Sequence, residues 1–157
     1  FDHIAEWMLQ DDVLIGGEES GGMSIKGHIP EGDGILMGLL TLEMVAVTGT
    51  PLEGLVDQLL SEVGPSHYGR LDLRLTRPVS KQVMSDRLRD EAPSSIGSLR
   101  VDHVSVRDGV KYVMDDESWL LIRPSGTEPV LRIYAEAREP QALERLISHG
   151  REIAQAS

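Results

Sequence analysis

The chain has 157 residues, 40% of them hydrophobic, with a formal charge of -11 and no cysteine. This is long enough for one domain, or a small domain plus part of another, and apolar enough to bury a core. The acidic balance excludes general attraction to nucleic acid or anionic membrane, while the lack of cysteine excludes disulfides and thiolate metal sites and suits a reducing cytoplasm.

Phe1, Ile4, Trp7 and Met8 sit at helical spacing, so the first residue already lies inside an amphipathic helix that runs to Leu9. The chain is therefore expected to open in the middle of a domain. Asp11-Asp12 reads as a turn and Val13 to Ile15 as a short buried strand entering a glycine-rich loop. Asp33 is placed to cap the next helix, which Gly49 stops. That stretch, Ile35 to Val47, is interrupted by Thr41 and Glu43 and is too short to cross a bilayer. Thr50-Pro51-Leu52-Glu53 has the pattern of a capping box with proline at the first helical position, opening a helix that ends at Gly64-Pro65.

Around Gly64 to Gly69 the pattern changes, and a domain boundary is expected there, giving units 1–64 and 65–157. Leu71, Leu73 and Leu75 alternate with polar residues as in a half-buried strand. Pro78 opens a helix that includes Val79, Val83, Met84 and Leu88. Val104 and Val106 lead through Asp108-Gly109 to Val110 and Tyr112, a hairpin with a preferred turn dipeptide. Trp119 to Ile122 and Val130 to Ala137 read as two more strands, and Pro140 starts a closing helix with Leu143, Leu146, Ile147 and Ile153 inward. The expected architecture is a partial α/β domain, the end of an α/β/α sandwich, followed by a compact α+β domain with an antiparallel sheet and two helices.

Two loops are not explained by packing. In the later one, Arg123 to Pro129 (RPSGTEP), Arg123 offers a planar fork for two phosphate oxygens, and Ser125 and Thr127 add hydroxyls. Gly126 lets backbone N–H groups approach an anion, and Arg132 on the following strand can add a second cation. The same loop also fits a tight strand connection in which Arg123 pairs with an acid such as Glu128. The earlier loop offers Glu18, whose carboxylate can accept bonds from two adjacent sugar hydroxyls, and Ser20 beside it. Taken alone, the stretch reads more simply as an acidic turn in solvent. Lys26 and His28 follow, the histidine equally suited to a structural hydrogen bond. No metal site emerges from the spacing of acids and histidines.

Together, GGEESGG followed by KGHIPEGDGI, and RPSGTEP after a domain change, resemble the C-terminal part of the α-D-phosphohexomutases, the phosphoglucomutase and phosphomannomutase enzymes. The resemblance covers essentially the whole chain. It implies that Glu18 and Ser20 hold adjacent sugar hydroxyls, that Arg123, Ser125, Gly126 and Thr127 clamp the phosphate not being transferred, and that Lys26 and His28 contribute to the cleft. Glu19, at a position that varies in the family, favours glucose phosphate over mannose phosphate. The implied activity is that of a cytoplasmic isomerase of carbohydrate metabolism. It interconverts hexose 1-phosphate and 6-phosphate through a hexose 1,6-bisphosphate and an enzyme phosphoserine, with Mg2+ assisting, and the two loops would serve one cleft.

The family's serine loop (T-A-S-H-N-P) and magnesium loop (D-G-D-x-D-R) do not occur in this sequence. No catalytic or metal-ligating residue is therefore assigned, and the expected partners are a hexose phosphate and the N-terminal domains of the same polypeptide. Gly32 stands where many members carry a basic residue, and Gly22 where some branches carry histidine. A non-catalytic sugar-phosphate-binding module is the alternative reading.

Overall fold

The computed structural model describes residues 2–18, 20–75, 80–125 and 129–155. Its contacts divide the chain into two units, Phe1–Leu59 and Leu60–Ser157. The first contains helix α1 (Asp2–Gln10), strands β1 (Ile15–Gly17) and β2 (Met23–Ile25), and helix α2 (Gly34–Thr48); helix α3 (Leu52–Val63) crosses the division.

The strand expected at Val13 to Ile15 forms later, at Ile15–Gly17. β1 and β2 make an antiparallel hairpin across the glycine loop, with Ile15 opposite Ile25 and Gly17 opposite Met23. Leu14 and Ile15 are exposed, so this is not the buried strand that the apolar run suggested. A short apolar run reports that a surface wants cover, not which element supplies it.

The expected ends of α2 form. The Asp33 carboxylate accepts from the N–H groups of Ile35 (3.1 Å) and Leu36 (2.9 Å), and Gly49, in the left-handed region, donates its N–H to the Val45 carbonyl. None of the described side chains of α2 is buried; Ile35 and Val47 are about four-fifths exposed. α3 starts without the reciprocal bonds of a capping box, since the Thr50 hydroxyl instead donates to the Thr48 carbonyl at 3.4 Å. Among the described residues no single helix is long and apolar enough to cross a membrane.

The second unit is built on strands β3 (His67–Arg74), β4 (Ser95–Ile96), β5 (Leu99–Ser105), β6 (Val110–Met114), β7 (Trp119–Pro124) and β8 (Val130–Ala137), with helices α4 (Lys81–Asp90) and α5 (Pro140–Gln155). All pairings are antiparallel, in the order β3-β8-β7-β6-β5-β4. Pro78 and Val79, expected to open α4, lie outside the described residues. β4 and the first half of β5 were not anticipated, because a bulge between Val101 and His103 breaks the two-residue alternation that would mark the strand.

Alternation sets the two faces of this sheet. Val110, Tyr112, Met114, Leu120, Ile122, Leu131, Ile133, Ala135 and Ala137 point to one side, where they pack with Met84 and Leu88 of α4 and Ala142 and Leu146 of α5. The other side carries Lys111, Trp119, Leu121, Arg123, Arg132 and Tyr134. There the Lys111 ammonium lies 4.1 Å from the centre of the Trp119 ring and the Arg70 guanidinium 5.3 Å from that of Tyr134.

One buried bond ties helix to sheet. The C-terminal carbonyls of a helix lack intrahelical donors; Arg87 and Arg89 take theirs from Glu91 and Ala92, and Leu88 takes the Tyr112 hydroxyl at 2.8 Å. Burial pushes the Tyr112 phenol up to about 12 from its usual 10.0, with the Glu91 charge adding to the shift. The folded state thus favours the neutral phenol. Its contribution is full below pH 10 and is lost as pH rises toward 12. Tyr112→Phe is expected to lower unfolding free energy in urea by about 1–2 kcal/mol at neutral pH. The difference between wild type and variant should shrink in the same titration carried above pH 10.

Candidate functional site

In the first unit the hairpin separates the predicted residues. Glu18 follows the last residue of β1, and its backbone closes the tip: Glu18 N–H donates to the Gly22 carbonyl (2.9 Å) and Gly21 N–H to the Glu18 carbonyl (3.0 Å). Ser20 Oγ lies 3.5 Å from Glu18 Oε2, a long contact that a better acceptor or donor can replace. The structure therefore brings Glu18 and Ser20 together on one exposed tip. Lys26 lies at the other end of the hairpin, where its N–H donates to the Leu14 carbonyl and its ammonium pairs with Asp12. Three strand residues separate it from the tip, roughly 10 Å.

His28 takes the structural role that its isolation allowed. Its Nε2 lies 3.1 Å from Asp33 Oδ2, while Asp33 Oδ1 caps α2. The Leu36 N–H holds the Asp33 carboxyl below its ordinary 3.8 against an opposing effect of desolvation, with the His28 contact and the Ile35 N–H adding to the lowering. Ser24, fully buried, donates to the Ile29 carbonyl at 2.7 Å, and Asp33 N–H reaches the Met23 carbonyl at 3.2 Å. Those bonds fold the segment after β2 back onto the hairpin. The two departures from the family pattern meet there: a Cβ on Gly32 would sit 3.6 Å from Gly22 Cα, ordinary contact distance.

In the second unit, Arg123 is next to last in β7, and its neighbours Ile122 and Pro124 face the core, so its side chain must emerge on the open face. Arg132 of β8 is its direct cross-strand partner and shares that face. Asp72 of β3 is paired opposite Arg132. Arg132 Nε is buried and lacks a hydrogen-bond partner among the described residues. Ser125 N–H donates to the Val130 carbonyl at 2.8 Å, which pinches the loop ends together and commits that amide to the fold. Gly126, Thr127 and Glu128, expected to complete the phosphate grip or to pair with Arg123, lie outside the described residues.

Arg123 does have an acidic neighbour, and the sequence reading did not name it. Its Nε lies 3.0 Å from Asp108 Oδ2, while Lys81 at the start of α4 reaches Asp108 Oδ1 at 3.3 Å. Asp108 belongs to the β5–β6 turn, and Gly109 beside it has φ +87°, with Ile122 O and Arg123 Cα within 2.6 and 3.1 Å of a hypothetical Cβ. Only glycine lets this turn lie against β7. The Asp-Gly turn was legible as a turn; its contact with Arg123 follows from the pairing of β6 with β7, which the sequence does not display. All three charged groups are partly exposed, so each ion pair stabilises the fold by about 0–1 kcal/mol.

Residues 1–63 match the family model described as phosphoglucomutase/phosphomannomutase, alpha/beta/alpha domain III, and residues 76–150 match phosphoglucomutase/phosphomannomutase, C-terminal domain. The chain belongs to the phosphoglucomutase/phosphomannomutase family. A phosphoglucosamine mutase of Methanococcus aeolicus is 33% identical over 89% of the chain and 29% of its own length. A phosphoglucomutase/phosphomannomutase of Thermococcus kodakarensis is 27% identical over 94% of the chain and 30% of its own. Among solved structures, a phosphoglucomutase/phosphomannomutase family protein from Burkholderia thailandensis superposes with a TM-score of 0.68 at 25% identity, over 98% of this chain and 30% of that one. The chain thus spans under a third of the length of these relatives.

Among the described residues no group of three or more histidines and carboxylates is arranged to hold a metal ion.

Because Asp33 is held as a carboxylate by α2 and His28, its capping contribution is full above the ordinary carboxyl range and is lost as pH falls through its lowered value. Asp33→Ala should fray the first turn of α2, read as faster hydrogen exchange at the Ile35 and Leu36 amides at neutral pH. Acidification should produce the same change in the wild type.

Proposed function

We propose that this chain is the substrate-holding C-terminal portion of a hexose-phosphate mutase, residues 1–64 closing the third domain and residues 65–157 forming the fourth. The observation that carries the reading is Arg123 at the mouth of the RPSGTEP loop. It sits on the open sheet face, opposite a second arginine and already in contact with a carboxylate. Two like charges directly opposite one another in a sheet are unfavourable unless anions lie near them, and in the free chain Asp108 and Asp72 supply one beside each arginine. A phosphate ester supplies two negative charges and suits a guanidinium fork better than a single carboxylate does.

In this reading Arg123 and the Ser125 hydroxyl, with Gly126 and Thr127, hold the phosphate that is not being transferred, and Arg132 supports the charge. Glu18 accepts from neighbouring sugar hydroxyls, and Ser20 exchanges its long contact with Glu18 for one to the sugar. Lys26, engaged with Asp12, and His28, engaged with Asp33, shape the loop. Positioning and charge stabilisation are most of what phosphoryl transfer asks of a protein, and these residues supply positioning. The phosphoserine, the metal ion and the bisphosphate turnover belong to the preceding domains of such an enzyme. Relatives named phosphoglucosamine mutase and phosphoglucomutase/phosphomannomutase support a hexose phosphate as the substrate class.

Titrating glucose 1-phosphate into the labelled chain should shift the Arg123 and Ser125 amides at millimolar concentration, a site of roughly 4 kcal/mol. Silence at both loops up to tens of millimolar would sink the proposal. In a full-length mutase carrying this sequence, Arg123→Ala is expected to lower kcat/KM about 10- to 100-fold, the effect of losing one or two charge-assisted bonds. Unchanged kinetics on glucose, mannose and glucosamine phosphates alike would contradict the assigned role.

A further inference from the structure

We infer that Lys81 is a further cationic ligand of the substrate phosphate, beside Arg123 and Arg132, and that Asp108 is an internal anion which the phosphate displaces. The inference rests on the reading of Arg123 given above and extends it to residues that lie outside the RPSGTEP loop. Lys81 and Arg123 come from different elements, the start of α4 and the end of β7, yet they meet on opposite oxygens of one carboxylate, at 3.3 and 3.0 Å. Two cations bridged by a pair of oxygens on one atom is the geometry of a bound phosphate edge. The Asp108 carboxylate therefore occupies, within the fold, the place that a phosphate takes.

Several features suit exchange. Lys81, Asp108 and Arg123 are each between two-fifths and just over half exposed, so water and ligand reach all three. On the α4 side of the turn an open cleft of about 400 Å³, lined among others by Lys81, Asp86, Arg89, Arg107 and Gly109, leaves room beside Lys81 for an arriving anion. The turn itself is held from behind by Gly109 against the Ile122 carbonyl, so the backbone of Asp108 stays in place while its side chain swings. A dianion outcompetes a single carboxylate for two cations because it doubles the charge at the same contacts. Asp108 also costs affinity. Its charge remains near the bound phosphate, and it keeps Lys81 and Arg123 gathered and neutralised when the site is empty.

The test is a titration of the isotopically labelled chain with inorganic phosphate, followed by backbone amide NMR, for the wild type, Asp108→Asn and Lys81→Met. Asparagine preserves the turn, since Asn-Gly is as good a hairpin dipeptide as Asp-Gly, and methionine keeps most of the lysine stem. The wild type is expected to show shifts at Lys81 and Gly109 together with Arg123 and Ser125. Asp108→Asn should bind phosphate about three- to fivefold tighter and Lys81→Met about three- to fivefold weaker, the scale of one partly exposed charge contact. Shifts at Arg123 and Ser125 with both variants titrating like the wild type would overturn the inference and leave the phosphate site standing. A wild-type chain silent at Arg123 and Ser125 would overturn both.

Discussion

The alternation of β7 is the constraint on which the second unit depends. Leu120, Ile122 and Pro124 must face the core formed with α4 and α5, so Trp119, Leu121 and Arg123 have only the open face left to them. A register slip of one residue would bury Arg123 and expose Ile122, an exchange that desolvates a charge and loses apolar burial at once. The hydrophobic core thus aims the guanidinium. β8 repeats the arrangement, with Leu131 and Ile133 inward and Arg132 outward, and the two strands deliver two arginines side by side at the rim where the loop departs.

The first unit is organised by a single carboxylate rather than by a core. Asp33 caps α2 with one oxygen and holds His28 with the other, and its own N–H reaches back to β2. Those bonds and the buried Ser24 fix the path of the segment after the hairpin, while the tip bearing Glu18 and Ser20 is closed by its own backbone. Polar bonds of this kind define a loop without hydrophobic cover. That is consistent with an α2 whose apolar side chains are all at least partly exposed within this unit.

What the sequence displayed was whatever depends on neighbours in the chain. The cap at Asp33, the stop at Gly49, the Asp-Gly turn, the strands β7 and β8 and the inward residues of α5 are all local patterns, and each is where it was expected. The failures share a cause. β1 runs Ile15–Gly17 and pairs with Met23–Ile25 because of partners that periodicity does not reveal. β5 hides behind a bulge. Thr50 finds the Thr48 carbonyl in place of its capping partner. Arg123 was read as an anion ligand, but the Asp108 carboxylate that it shares with Lys81 lies 15 positions away and Lys81 itself 42, and only the assembled sheet brings them together.

Charge is distributed in a way that sharpens the role of that contact. Residues 1–59 carry eleven acidic side chains and one basic one, Lys26, whereas residues 60–157 carry fifteen acidic and fourteen basic. The overall -11 therefore belongs almost entirely to the first unit, and an anion approaching the second meets a surface close to neutral. On such a surface long-range attraction is small and screened within about 10 Å at ordinary ionic strength. In the proposed site, selection for phosphate would come from short-range geometry, from cations held at the spacing of two oxygens. A lone arginine on a neutral surface is a weak and unspecific grip. Arginine and lysine gathered on one carboxylate would give the proposed site its shape before the ligand arrives.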